Sequence, residues 1–192
     1  MLQFENPLIS AIFPLMKEVA ILQRNDPILR AIAKPVAPAE ISSDKVKKVI
    51  EDMKIALHSQ KDGIAIAAPQ IGVSLRIFVV DGSLLKKADK DYRGEGGDLV
   101  FINPEVVKLS KRKKEVEEGC LSVRWLYGKI RRSTQATIRA LNEKGEEMER
   151  GASGLLAQIF QHETDHLDGT LFIDAADELW EMTEEEIAEL QS

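Results

Sequence analysis

Between Ser42 and Ser59 the apolar residues Val46, Val49, Ile50, Met53 and Leu57 recur three or four apart. That spacing puts side chains on one face of a helix, and Ser42, Ser43 or Asp44 is suited to cap its start. After Asp62-Gly63 the pattern changes to short apolar runs, IAIAAPQIGV, LRIFVVD and LVFINPEVV. These predict strands separated by Gly, Pro and Asp turns. QATIRALNEKGEEMER alternates and then turns at Asn142–Gly145, the pattern of a hairpin. From Gly154 the helical period returns, with Leu155, Ile159, His162 and His166 along one face and Gly169 placed to stop the helix. Thr183 with Glu186 forms a capping-box pattern for a short last helix. Strands that precede a single long helix predict an α+β fold, mostly antiparallel strands packed around the helix that carries the histidine pair.

Composition narrows the class. The 192 residues are 44% hydrophobic and 30% charged, as in a folded globular chain of one domain. The net charge of −6 makes nucleic acid an unexpected partner, and the segment from Asp174 to Ser192 carries eight acids and no Lys or Arg. A single cysteine, Cys120, excludes an intrachain disulfide and fits a reducing compartment, the cytoplasm. The N-terminal run PLISAIFPLM is apolar, but Glu5 precedes it, Pro14 breaks it, and it is too short to span a bilayer. It is expected to be a docked or frayed extension, residues 1–20, with a secretion signal as the second reading.

Candidate chemistry sits in QHETDHLDG. Residues four apart on a helix share a face, so His162 and His166 reach one ion, while Glu163, offset by one position, reaches bound water without being a ligand. A His pair alone more often lies on a solvated face. The intervening Glu and the apolar turns before it favour metal. A catalytic site takes three protein ligands and leaves a position open. The third is either a downstream Glu, all of which lie in the acidic tail, or Cys120 in EEGCLS. A lone cysteine is commonly an inert buried residue; joined to two histidines it suits Fe(II), Zn(II) or Ni(II).

Three segments, GIAIAAPQ (63–70), EGCLS (118–122) and QHETDHLDG (161–169), stand in the order and spacing of the peptide deformylases, which remove the N-formyl group from nascent bacterial polypeptides. ILQRNDPILRAIAKPV also resembles the start of that family, and the resemblance spans residues 21–173. It implies that Cys120, His162 and His166 ligate Fe(II), replaceable by Zn(II) or Ni(II). Glu163 would be general base and acid, and the Gln70 amide and Leu121 N–H would stabilise the oxyanion. Gly63, Ile64, Ala65, Gly119, Val116, Tyr127, Leu155, Gln158 and Ile159 would bind formyl-methionyl peptide, partly as an added strand. Glu118 would pair with Arg132 and hold the Cys120 segment. The resemblance also allows transient ribosome association. The acidic tail (174–192) is a poor contact for RNA phosphates, and the basic cluster Lys108, Lys111, Arg112, Lys113 and Lys114 is the candidate one.

Four positions depart from the family pattern: Ala65 where a second Gly is usual, Arg124 where Pro often stands, Tyr127 where Arg is common, and Gln158 in place of an aliphatic pocket residue. None is a ligand, base or oxyanion donor. Two other functions fit some of the same residues, an H-E-x-x-H endopeptidase and a non-catalytic binder of nascent chains. A Cys120 contact to the metal, with cleavage of formyl-Met peptides and no internal cuts, would separate the first, and intact Glu163 and Gln70 argue against the second.

Overall fold

Helix α1, Asp44–His58, starts where the Ser43 hydroxyl accepts the Val46 N–H. A computed structural model describes residues 18–90 and 92–191 of the chain; the apolar run 7–16 lies outside them. After α1 come β1 (Ala65–Ala67), β2 (Ile77–Val80), α2 (Gly82–Ala88) and β3 (Leu99–Leu109). Then follow β4 (Lys113–Gly119), β5 (Leu126–Ser133), β6 (Gln135–Leu141), β7 (Glu147–Ser153), α3 (Gly154–Leu167), β8 (Glu178–Glu181) and α4 (Glu184–Gln191). The strands form two antiparallel sheets, ordered β1-β2-β3-β6-β7 and β4-β5-β8, so the fold is α+β as expected.

The large sheet is covered on both faces, which explains why β2 is buried along its whole length. Successive side chains of a strand point to opposite faces. Ile77 and Val79, with Ile66 and Ile102, meet Ile50, Met53 and Leu57 of α1. Phe78 and Val80, with Phe101 and Ile138, meet Leu156 and Phe160 of α3. The rings of Phe78, Phe101 and Phe160 sit with centroids 4.6–6.3 Å apart and fix α3 against the sheet. α3 also contacts β5, so the helix lies where the two sheets meet.

Both ends of α3 are set by glycines. Gly154 has φ 60°, and the Asp89 carboxylate accepts the Leu155 N–H at 3.0 Å. A Cβ on Gly169 (φ 75°) would lie 2.7 Å from the Arg30 carbonyl oxygen, so the helix stops where the sequence predicts. The Asn142–Gly145 turn is likewise present, with Asn142 Oδ1 accepting the N–H groups of Lys144 and Glu146.

Two readings of the sequence need correction. Ile64–Val73 is a strand only over β1; Ala68–Ile71 form a 3₁₀ turn ended by Gly72 at φ 80°. Pro69 lacks an N–H for the ladder, and Gln70 Oε1 instead accepts the Ala67 N–H at 2.7 Å. The acidic segment is not only a tail with a short helix, because β8 is the third strand of the small sheet, pairing with β5. Its Trp180 stacks on Tyr127, centroids 6.4 Å apart. Deleting everything after Ile173 should therefore lower the thermal midpoint by several degrees, whereas deleting Thr183–Ser192 should leave it within about 2 °C of the full chain. A ΔΔG of 1 kcal/mol corresponds to roughly 2–4 °C for a chain of this size. Equal midpoints for the two deletions, measured by calorimetry, would show that β8 adds nothing.

Candidate active site

Side chains four apart on α3 face the gap between the sheets, where the turn after β4 brings Cys120 to them. Cys120 Sγ lies 3.1 Å from His166 Nε2, and the Cys120, His162 and His166 ligand atoms all fall within 4.8 Å of one another. No other such His, Cys or carboxylate group occurs among the described residues. A soft thiolate and two imidazoles meeting at one point suit a borderline transition metal ion. Cys120, and no acid of the C-terminal segment, completes the set.

The second ring nitrogens differ. His162 Nδ1 donates to Glu118 Oε2 at 2.9 Å, which orients the ring and leaves Nε2 for the ion. His166 Nδ1 is buried without a protein partner. Glu118 is in turn gripped by Arg132, with Nε and Nη2 at 2.8 and 2.9 Å from its two oxygens, and Arg132 Nη1 reaches Asp165 at 2.6 Å. β4, β5 and α3 are thus tied by one buried charge network, the pairing of Glu118 with Arg132 that the sequence suggests.

The two glutamates beside the histidines are driven in opposite directions. Burial works to raise the pKa of Glu118, but its bonds to His162 and Arg132 outweigh that and lower it to about 2. Glu163 is 3% exposed, and burial is the largest influence on it; the opposing charge of His162 is smaller, so its pKa rises to about 7. Its Oε2 is buried with no protein partner. Burial also pushes His166 well below the ordinary histidine value. At His162 burial is overcome by the Cys120 sulfur and Glu118, which raise it.

A cleft of about 220 Å³ opens onto this group. Gly63, Ile64 and Ala65 line one side and Glu117 and Gly119 the other, so the two walls are β1 and β4, the open edges of the two sheets. Leu155, Gln158 and Ile159 form the floor, and Tyr127 stands at the rim. Val116 is not among the lining residues; it is buried on β4 opposite Ile130. The structure adds Val123, Arg124, Trp125 and Leu126 to the lining, a loop the sequence gave no periodicity to place. Gln70, pinned through its Oε1, directs Nε2 to Ser122 Oγ at 3.1 Å and towards Cys120 Sγ at 3.5 Å.

A helix-borne His-Glu-x-x-His beside a cysteine, in an α+β fold with a cleft between sheet edges, defines a hydrolase with a metal-binding group. The chain belongs to the polypeptide deformylase family, whose sequence model matches residues 18–181. It is 42% identical to the peptide deformylase of Carboxydothermus hydrogenoformans over 83% of this chain and 93% of that one. With the peptide deformylase of Halothermothrix orenii the identity is 43%, over 83% and 94%. The crystal structure of peptide deformylase from Thermotoga maritima superposes with a TM-score of 0.73 at 35% identity, covering 84% of this chain and 99% of that one. The protein is an enzyme that removes a formyl group, the activity of its family.

Because Glu118 titrates well below an ordinary carboxylate, its contribution to stability is complete above about pH 4.5 and is lost as pH falls towards about 2. Arg132→Met should cost about 3–5 kcal/mol at pH 7, since it leaves Glu118 charged and buried without its main partner. The Glu118→Gln/Arg132→Met double variant should cost less than Arg132→Met alone and lose less stability between pH 4.5 and 2. Urea unfolding at several pH values reads both, and additive costs would show that the pair does not act as a unit.

Proposed function

We propose that the enzyme hydrolyses the formamide of formyl-methionyl nascent peptides, using one divalent ion, Fe(II) in the cell, held by Cys120, His162 and His166. Zn(II) or Ni(II) would serve in the same ligand set. The observation that carries this reading is the meeting of a thiolate sulfur and two imidazole nitrogens beside a buried carboxylate with an unpartnered oxygen. An ion bound there supplies a Lewis acid and lowers the pKa of water to roughly 7. The remaining work falls to the chain. Glu163, poised near neutrality, takes the proton of the attacking water and delivers it to the leaving amine. The Gln70 amide and the Leu121 N–H donate to the carbonyl oxygen as it becomes negative; losing one such donor typically costs about 10²–10³ in rate.

The peptide would lie between β1 and β4, pairing with their unsatisfied edges around Ile64, Ala65 and Gly119 as an added strand. A Cβ on Gly119 would come 2.5 Å from the Tyr127 ring, so glycine keeps this wall open. The first side chain would enter the floor pocket of Leu155, Gln158 and Ile159. A peptide deformylase from Acinetobacter baumannii, 32% identical with a TM-score of 0.72, has been solved with Met-Ala-Ser bound, a peptide that deformylation of formyl-Met-Ala-Ser would leave. Acting on nascent chains would call for a cytoplasmic enzyme with transient access to ribosomes. The basic surface for that is the exposed cluster Lys108, Lys111, Arg112, Lys113 and Lys114 around the connection between β3 and β4, strands of different sheets that do not form a hairpin. No helix among the described residues is long and apolar enough to cross a membrane.

Formyl-Met-Ala-Ser hydrolysis on anaerobically purified protein, with metal analysis, tests the reading. Cys120→Ala should lose metal and activity together. Glu163→Ala should keep its metal and lose turnover by a factor of 10² or more, within the range for a positioned acid–base group. Metal loss in Glu163→Ala would make Glu163 a ligand rather than the base.

Gln158 bears on substrate choice. Its Nε2 donates to the Glu117 carbonyl at 2.8 Å, so the amide is bonded to the cleft wall instead of facing a methionine side chain unpaired. An unpaired buried amide costs roughly 1–3 kcal/mol; the bond to Glu117 removes most of that, and formyl-Met is accepted. Gln158→Ile should raise kcat/KM for formyl-Met peptides by less than tenfold, sharpen the preference over formyl-Leu and leave metal content unchanged. Tenfold corresponds to about 1.4 kcal/mol. A fall in kcat/KM would mean that the Glu117 bond helps to shape the pocket.

A further inference from the structure

We propose that Gln23 is a positioning residue for the Cys120 sulfur, acting through the Leu121–Ser122 peptide; this rests on Cys120 being a metal ligand. The chain segment before a 3₁₀ turn at Pro27–Arg30 bonds to both of the loops that carry Gln70 and Cys120. The Leu22 N–H donates to the Gln70 carbonyl at 2.8 Å. Gln23 Nε2 donates to the Leu121 carbonyl at 3.0 Å, and its Oε1 accepts the Arg124 N–H at 3.4 Å. One side-chain amide therefore spans the tight turn closed by Val123 N–H and the Cys120 carbonyl at 2.9 Å.

The Leu121 carbonyl and the Ser122 N–H belong to one peptide unit, which is planar and presents the two groups on opposite sides. Gln23 holds the carbonyl, and the Ser122 N–H points to Cys120 Sγ at 3.4 Å. Fixing one end of the plane fixes the aim of the other. A donor on the carbonyl also polarises the N–H, because bonds in a chain strengthen one another. The result is a relay of three groups, side-chain amide, peptide and sulfur, that draws negative charge off the thiolate and sets its direction. Partners of this kind behind a ligand typically change metal affinity by about 10–100-fold.

Gln23 is exposed and outside both main core clusters, so its replacement removes no apolar packing from them. Two variants separate the relay from a simple strap. Gln23→Leu removes both of these bonds and a third, local one from Nε2 to the Ile21 carbonyl. Gln23→Glu keeps an acceptor for the Arg124 N–H but loses the donor to Leu121. The probe is Co(II), loaded into each protein, with its thiolate-to-cobalt charge-transfer band and its release to a chelator followed by absorbance. Both variants are expected to move the band to lower energy and to release Co(II) about 10–100-fold faster, with thermal midpoints of the metal-free proteins close to wild type. An unmoved band in both variants, or wild-type behaviour in Gln23→Glu alone, overturns the proposal. A fall in thermal midpoint with the band unmoved would reduce Gln23 to a strap. Absence of any thiolate band in the wild type would remove Cys120 as a ligand and the relay with it.

Discussion

A carboxylate enclosed at the meeting of two sheets is the constraint on which the rest of this molecule depends. Glu118 has almost no access to water, so every lone pair it carries must find a donor within the protein. Arg132 supplies two and His162 one. Those three residues come from β4, β5 and α3, and Asp165 adds a second bond from α3. Buried ion pairs contribute little net stability, because desolvation offsets the attraction. What this one contributes is geometry. The His162 ring, the turn that presents Cys120 and the helix that carries both histidines are held in one frame.

That frame works because α3 is already fixed by packing. Phe160 and Leu156 lock one face of the helix to Phe78 and Phe101, leaving little freedom in its rotation or height. His162 and His166 then emerge one turn apart towards the gap, and Glu163 lies on the buried side next to them. The same burial acts on two glutamates with opposite results. Glu118 has cationic and hydrogen-bonding partners and stays ionised; Glu163 is buried with an unpartnered Oε2 and rises to about 7. Divergent pKa values in neighbouring acids separate structural from proton-transferring roles. Here they agree with the proposed division of labour, one carboxylate to hold a ligand and one to move a proton.

Local patterns in the sequence carry some of this and not the rest. The α1 and α3 periods, the Asn142–Gly145 turn and the Gly169 stop are each decided by residues within a few positions of one another, and each is found where the sequence places it. The His-Glu-x-x-His spacing is equally local. β8 is hidden in the sequence because its residues, ELWE, sit among acids and are mostly exposed; only pairing with β5 makes them a strand. The 3₁₀ turn at Ala68–Ile71 reads as apolar strand until the Gln70 side chain is seen to satisfy the Ala67 N–H. Spacing alone leaves the third candidate ligand open, since Cys120 and His162 lie 42 positions apart, and only the resemblance points to Cys120. Gln23 carries no local signal at all; its partners lie about 100 residues away.

The four positions that set this chain apart in its sequence all line the cleft, and the side chains of three of them find a partner in this chain. Arg124 pairs with Asp62, also bonds Gln60 at 3.0 Å, and lies 4.4 Å over the Trp125 ring. Tyr127 lies between Gly119, which leaves room for its ring, and Trp180, which stacks on it. Gln158 crosses the floor to the Glu117 carbonyl. Ala65 takes its place in the ladder opposite Val80. Tyr127 depends on a strand from the C-terminal segment, and Arg124 on residues ahead of β1, so parts of the chain far from the ligands shape what reaches them. Arg124, Tyr127 and Gln158 therefore come to the cleft with their partners, and replacing any of the three leaves a group elsewhere in the fold without its contact: Asp62, Trp180 or the Glu117 carbonyl.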